Sequence, residues 1–323
     1  MWLVFTLITT AFWSIAELFY KKGARQHEKY SHLKIVIFVG LAMGIHALIV
    51  LLTQDINFDP VNLLKYLPVS LCYIVSMACS YFGVRFIEES ISDPIENTSG
   101  ALCALMCLVF LHQKIDGISF IAIGIMVVGI IGVGYLENKG DTDRKKKIGK
   151  TIAIVAFTMP FLYAIIDALG SFLDIYYLDL ETTRLVNVTE DTIENVANTC
   201  YELTFLFIAI VMIVFLLIKK VKLFETEEGS VKEDGTKLPW YLRVYSQKDK
   251  MIAAICETAG QFTYVFAMSD NGAIAAPIIS SVCVFSLLLS RIFLKEKLTK
   301  WQYFFIALVL AGIVMLAIIQ GDA

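Results

Sequence analysis

Five carboxylates fall inside long apolar runs of this sequence: Glu17, Glu96, Asp167, Glu202 and Glu257. An ionisable group at bilayer depth costs at least about 2.5–3.5 kcal/mol to insert, so each is a candidate functional group. Helical spacing sets aromatic and polar groups beside them. Glu17 has Trp13 at i−4 and Tyr20 at i+3, and Asp167 has Tyr163 at i−4 and Gly170 at i+3. Glu257, Gln261 and Tyr264 follow at i, i+4 and i+7, a polar stripe that cannot comfortably face lipid. Glu96 and Asn97 come just after Pro94, where an unwound turn would offer backbone carbonyls to a ligand.

Acids beside aromatic faces suit a protonated amine or quaternary ammonium group through charge and cation–π attraction. They also suit protons, because apolar burial favours the neutral acid over the carboxylate. Asp167 or Glu17 could then release a proton to one side and accept a cation from the other. Plainer readings stand beside these. Glu96, Glu202 and Glu257 lie within about two turns of the predicted span ends, near the headgroups. Glu17 is spaced to pair with Lys21, and Asp167 could bond a neighbouring helix. Trp13, Tyr81, Tyr163 and Tyr264 could simply pack.

The elements that carry these residues follow from composition. Apolar residues make up 58% of the 323 and charged residues 18%, against roughly 45–50% and about 25% in soluble domains. Mean hydropathy is +0.71. Each helix needs roughly 20 apolar residues to cross a bilayer. Such runs lie near 2–20, 35–53, 66–87, 91–111 and 117–136, then near 151–178, 199–218, 251–268, 272–294 and 301–319. The expected fold is an all-α integral membrane protein with ten transmembrane helices in two inverted five-helix repeats. The first repeat covers 1–137, a basic linker 138–150, and the second repeat 151–320 with a charged loop at 219–250. The first run lacks a basic leader and a cleavage signature and carries Glu17, so it reads as a retained span.

All but four of the 27 lysines and arginines (Lys65, Arg85, Lys114 and Arg184) cluster in or beside the odd-numbered connections. That bias predicts a cytoplasmic location for those loops and external termini.

Internal similarity supports the duplication. An offset of 183 residues pairs Pro94 with Pro277, Ile95 with Ile278, Tyr81 with Tyr264, Lys114 with Lys297 and Gly129 with Gly312. An offset of 150 pairs Trp13 with Tyr163 and Glu17 with Asp167. An odd number of spans per half inserts the halves in opposite senses, an arrangement that sets a site near the midplane between them.

The run from Pro277 to Phe293-Leu294-Lys295-Glu296-Lys297-Leu298-Thr299-Lys300-Trp301-Gln302, with Gly312 in the next apolar helix, resembles the end of an EamA-type repeat of the drug/metabolite transporter superfamily. The first half carries Phe110-Leu111-His112-Gln113-Lys114-Ile115, with Gln113 where that repeat usually has Glu. The resemblance spans nearly the whole chain. It implies secondary transport of metabolites, amino acids or drugs through a central cavity in a multi-pass cell membrane protein, with both termini usually cytoplasmic. The local string from Ala16-Glu17 to Lys22 also faintly resembles the first helix of small multidrug exporters, where the acid binds protons and cations in competition.

The expected partners are a small, cationic solute, protons and the lipid bilayer. Net charge of −3 gives no basic field for nucleic acid. No cofactor is implied: the four histidines make no metal pattern, and no Walker-type loop points to ATP. The seven cysteines read as small buried hydrophobes. Two alternatives remain. A lipid-handling, flippase-like protein of the same superfamily would need a lateral opening. An intramembrane enzyme would need a nucleophile with its base or a metal cluster, and only His46 lies inside a span.

Overall fold

The computed structural model describes all residues except 25–27, 29, 84–85, 87–91, 93–94, 113–115, 139–149, 225–238, 294–298 and 322–323. The described residues are helical or coil, with no strand. The helices are α1 (Trp2–Gly23), α2 (Ser31–Thr53), α3 (Val61–Gly83), α4 (Ser99–Phe110), α5 (Gly117–Asn138), α6 (Lys150–Leu178), α7 (Ile193–Ile218), α8 (Trp240–Tyr245), α9 (Lys248–Ile279), α10 (Val282–Phe293) and α11 (Lys300–Gly321).

Six of these, α1, α2, α3, α6, α7 and α9, are long and apolar enough to cross a membrane, and shorter apolar helices accompany them. Apolar side chains face outward: Phe207, Ile165 and Ile255, all inside helices, are each 63% exposed. Water would penalise that surface, and hydrocarbon does not. Pro94, Arg85, Lys114, Gln113, residues 139–149 of the basic linker and residues 225–238 of the charged loop lie outside the described residues.

Two apolar stretches expected to be single spans are interrupted. Residues 91–111 break at Asn97-Thr98, and residues 272–294 break at Ser280-Ser281. The breaks have matching chemistry. Thr98 Oγ1 donates to the Ile95 carbonyl (2.7 Å) and Ser281 Oγ to the Ile278 carbonyl (2.6 Å), equivalent residues 183 apart. Each of these carbonyls also accepts the backbone amide of the same residue (3.2 and 2.9 Å), so hydroxyl and amide together close a tight turn at each break. The sequence separates spans near 268–272, whereas the backbone runs on as α9, with a non-helical bend at Asn271 (φ −154°, ψ 58°). Asn271-Gly272 is a turn-forming pair, which accounts for that bend.

The helix packing has an internal pattern. The main helix pairs are α1 with α9, α3 with α6, α2 with α7, and α5 with α11. Exchanging α1 with α6 and α3 with the first arm of α9 turns the first pair into the second. At α5–α11 the contact is reciprocal. A Cβ on Gly129 would stand 2.9 Å from the Phe305 carbonyl oxygen, and one on Gly312 would stand 2.9 Å from that of Ala122. Only hydrogen fits on both sides of this crossing. The buried core joins α1, α2, α3, α7 and α9 around a polar interior.

Candidate functional site

A cavity of about 900 Å³ of atom-free space, counting the part open to solvent, lies among α1, α3, α6, α7, α9 and the two helix breaks. α1 turns Trp13, Glu17 and Tyr20 into it, while Thr9 and Ser14 of the same helix bond α9 and the start of α10. α6 contributes Tyr163, Asp167 and Ser171, and α9 contributes Glu257, Gln261 and Tyr264. The first break supplies Glu96, Asn97, Ser99 and Gly100, and the second supplies Ser280. The two breaks touch, since the Gly100 amide donates to Ser280 Oγ at 3.1 Å.

Four carboxylates therefore share this cavity, and its described lining contains no lysine, arginine or histidine. Hydroxyls hold several of the acids. The Ser76 hydroxyl donates to Asp167 Oδ1 at 3.4 Å, and those of Ser99 and Tyr163 also bond this carboxylate. Tyr81 donates to Tyr20 (3.0 Å), which donates to Glu257 Oε2 (3.2 Å). Ser92 donates to Glu96 Oε1 at 2.6 Å. The aromatic walls come in pairs, Trp13 with Tyr264 (centroids 5.1 Å apart) and Tyr20 with Tyr81 (4.8 Å). Trp13 is fixed further by its indole N–H, which donates to the Glu257 backbone carbonyl at 3.3 Å. Such a chamber offers negative charge and π faces in a low-dielectric setting, where both act more strongly than in water.

Nine of the ten residues singled out from the sequence line this space: Trp13, Glu17, Tyr81, Glu96, Tyr163, Asp167, Glu257, Gln261 and Tyr264. Glu202 does not. It is fully buried on the α2 side of α7, with both carboxylate oxygens 2.8 Å from His46 Nδ1. One step along a helix turns a side chain by about 100°, so Tyr201 takes the cavity face instead. Sequence reasoning passed over Tyr73, Ser171, Tyr201 and Ser280, which also line the cavity, and Asp174, which lies just beyond it. Asp174 had a legible signal, since it follows Asp167 by seven residues on the same face of α6.

A helical chain with an apolar outer surface around an acidic polar chamber is a multi-pass membrane protein of the transporter class. The model of the EamA-like transporter family matches residues 1–135 and 199–318. The chain belongs to that family, and is therefore a membrane transporter of the drug/metabolite transporter superfamily, as the repeat-end motif implied. A crystal structure of a protein aligns over 98% of this chain and 96% of its own with a TM-score of 0.64, at 11% identity, which is a likeness of fold alone. No curated protein matches the sequence.

Proposed function

We propose that this protein is a secondary transporter of a small organic cation, an amine or quaternary ammonium solute, held in the acidic aromatic cavity. The observation that carries this reading is the four-carboxylate lining with no basic side chain among its described residues. An anionic solute would meet only like charge there. A cation would replace its water with carboxylate oxygens and the faces of Trp13, Tyr264 and Tyr163.

Transport by alternating access is supported by the symmetry of the packing. The reciprocal glycine contacts at α5–α11, the matching helix breaks and the exchangeable helix pairs fit two inverted five-span halves, 1–137 and 151–320, joined by the basic linker. Rocking these halves about the cavity exposes it to each side in turn, in a cell membrane. Moving one positive charge against the membrane potential costs about 2.3 kcal/mol per 100 mV. Counter-movement of a proton on Asp167 or Glu17 offsets that cost and makes the cycle electroneutral.

The test is thermal stabilisation of the purified protein across a panel of choline, other amines and small anions. Choline or an amine should raise the melting temperature, and Asp167→Asn should weaken the response. Stabilisation by anions alone would rule the cationic reading out.

A further inference from the structure

Beyond the cavity lies a second acidic site. Asp174 is 0% exposed and does not line the chamber. Its carboxylate accepts from Tyr66, 1% exposed, on one oxygen and from Tyr73 (3.3 Å) on the other. The titratable groups that face this pocket are Tyr66 and Tyr73 on α3, Cys103 on α4, Tyr201 on α7 and Tyr264 on α9, with Cys200 of α7 beside Tyr66. On its own helix, Asp167 stands two turns away. Every one of these is an acid in the broad sense, and no described lysine, arginine or histidine is among them. A charged carboxylate there would be buried with no cation to offset its lost hydration.

Hydroxyl groups connect this carboxyl to the chamber. Tyr73, which donates to Asp174, itself lines the cavity, as do Tyr264, whose oxygen is 2.7 Å from that of Tyr73, and Ser171, whose Oγ accepts from Tyr264 at 3.0 Å. Tyr264 donates to Ser171 and Tyr73 to Asp174 Oδ2, so Tyr73 is the hydroxyl that links the carboxylate to cavity water. Loading moves one proton per link: a hydronium ion in the cavity protonates Tyr73 Oη and becomes water, and the proton Tyr73 held passes to Asp174 Oδ2. No other bond changes, and the net result is one proton transferred from the cavity to Asp174.

Past Asp174 the molecule is closed. Tyr177, Leu178 and Leu185 are buried, and the α6–α7 connection is tied to α3 by the Asn62–Val186 pair of bonds (3.0 and 2.9 Å). We propose that Asp174 is a proton-binding site, loaded from the cavity through Tyr73 and unloaded when the α6–α7 end opens. The closed end tolerates the neutral acid, and ionisation demands water that only opening admits. This rests on the transport reading above and gives the exchanged proton a seat separate from the solute.

The test is infrared difference spectroscopy of the full-length protein in lipid nanodiscs between mildly acid and alkaline pH. One carbonyl band of a protonated carboxylic acid should be present in the wild type, lost in Asp174→Asn and retained in Asp167→Asn, beside the separate bands of the cavity acids. Tyr66→Phe and Tyr73→Phe remove single partners and should each shift the band, which keeps the test decisive if Asp174→Asn does not fold. Tyr73→Phe should also slow the appearance of the band after a pH jump by at least about a hundredfold, the low end of what a positioned proton-transfer group contributes. Wild-type and Asp174→Asn spectra that superimpose, or a band indifferent to both tyrosines, would overturn the assignment. A choline response missing from the wild type while the band behaves as described would reject the amine reading alone.

Discussion

Two groups of buried charge in this molecule are built on opposite plans. At the α1–α2 connection, Glu28 sits between two lysines. Lys34 Nζ pairs with one carboxylate oxygen and Lys250 Nζ lies 3.2 Å from the other, with Gln247 accepting from Lys250 at 2.7 Å. Both lysines are 1% exposed. In the cavity, four carboxylates gather with hydroxyls and aromatic rings and no cation among the described lining. The first group satisfies its charges internally and ties α1 and α2 to the start of α9. The second lines open space. The same acid chemistry is thus locked between cations in one place and set around a cavity in the other.

The contrast can be broken most severely at Glu28. Glu28→Gln strands two buried ammonium groups and should destabilise the protein by about 3 kcal/mol, read as a fall in the melting temperature. Its pH dependence follows. Burial pushes the Glu28 carboxyl up, but Lys250 and Lys34 outweigh it and hold it below the usual glutamate range. A depressed folded value stabilises the protein above the ordinary value of about 4.3. That contribution is lost as pH falls from there through the lower folded value. Wild-type and Glu28→Gln melting temperatures should therefore converge as the solution is acidified, and a constant gap would contradict the pairing.

Asp167→Asn should do the reverse. Removing a charge from an uncompensated site should leave stability equal or higher, while choline binding weakens at least about tenfold, or 1.4 kcal/mol, by thermal titration. If instead Asp167→Asn destabilised the fold as Glu28→Gln does, the cavity acids would be structural. The smallest effects belong to the helix breaks. Thr98→Val and Ser281→Ala each remove one hydroxyl-to-carbonyl bond and should each cost about 1 kcal/mol. Near-equal losses in denaturant titrations would sharpen the equivalence of the two breaks, and a cost confined to one would weaken it.

The sequence already held much of this. Apolar runs near the length of a bilayer located the helices, because lipid leaves the backbone few alternatives. The acids stood out for the same reason, and helical spacing placed Trp13, Glu17, Tyr163, Asp167, Glu257, Gln261 and Tyr264 on stripes that do converge. Where expectation and structure part, the cause is geometric. Glu202 fell in an apolar run like the others, yet one position of helical rotation turned it to His46. Asp174 lay close enough to the end of a run to pass for a boundary residue, and only packing against Tyr66 and Tyr73 buries it completely. The breaks at Asn97-Thr98 and Ser280-Ser281 were invisible to hydropathy, which averages over them.

What the sequence determined by itself is what depends on local composition and period: membrane residence, helical class, the duplicated pattern and the presence of intramembrane acids. The tertiary structure decided which acids meet, which are neutralised and which are left facing a cavity. That outcome depends on contacts across more than a hundred residues, such as Tyr20 with Glu257 or Tyr66 with Asp174. No periodicity along one helix encodes the neighbour that another helix will bring.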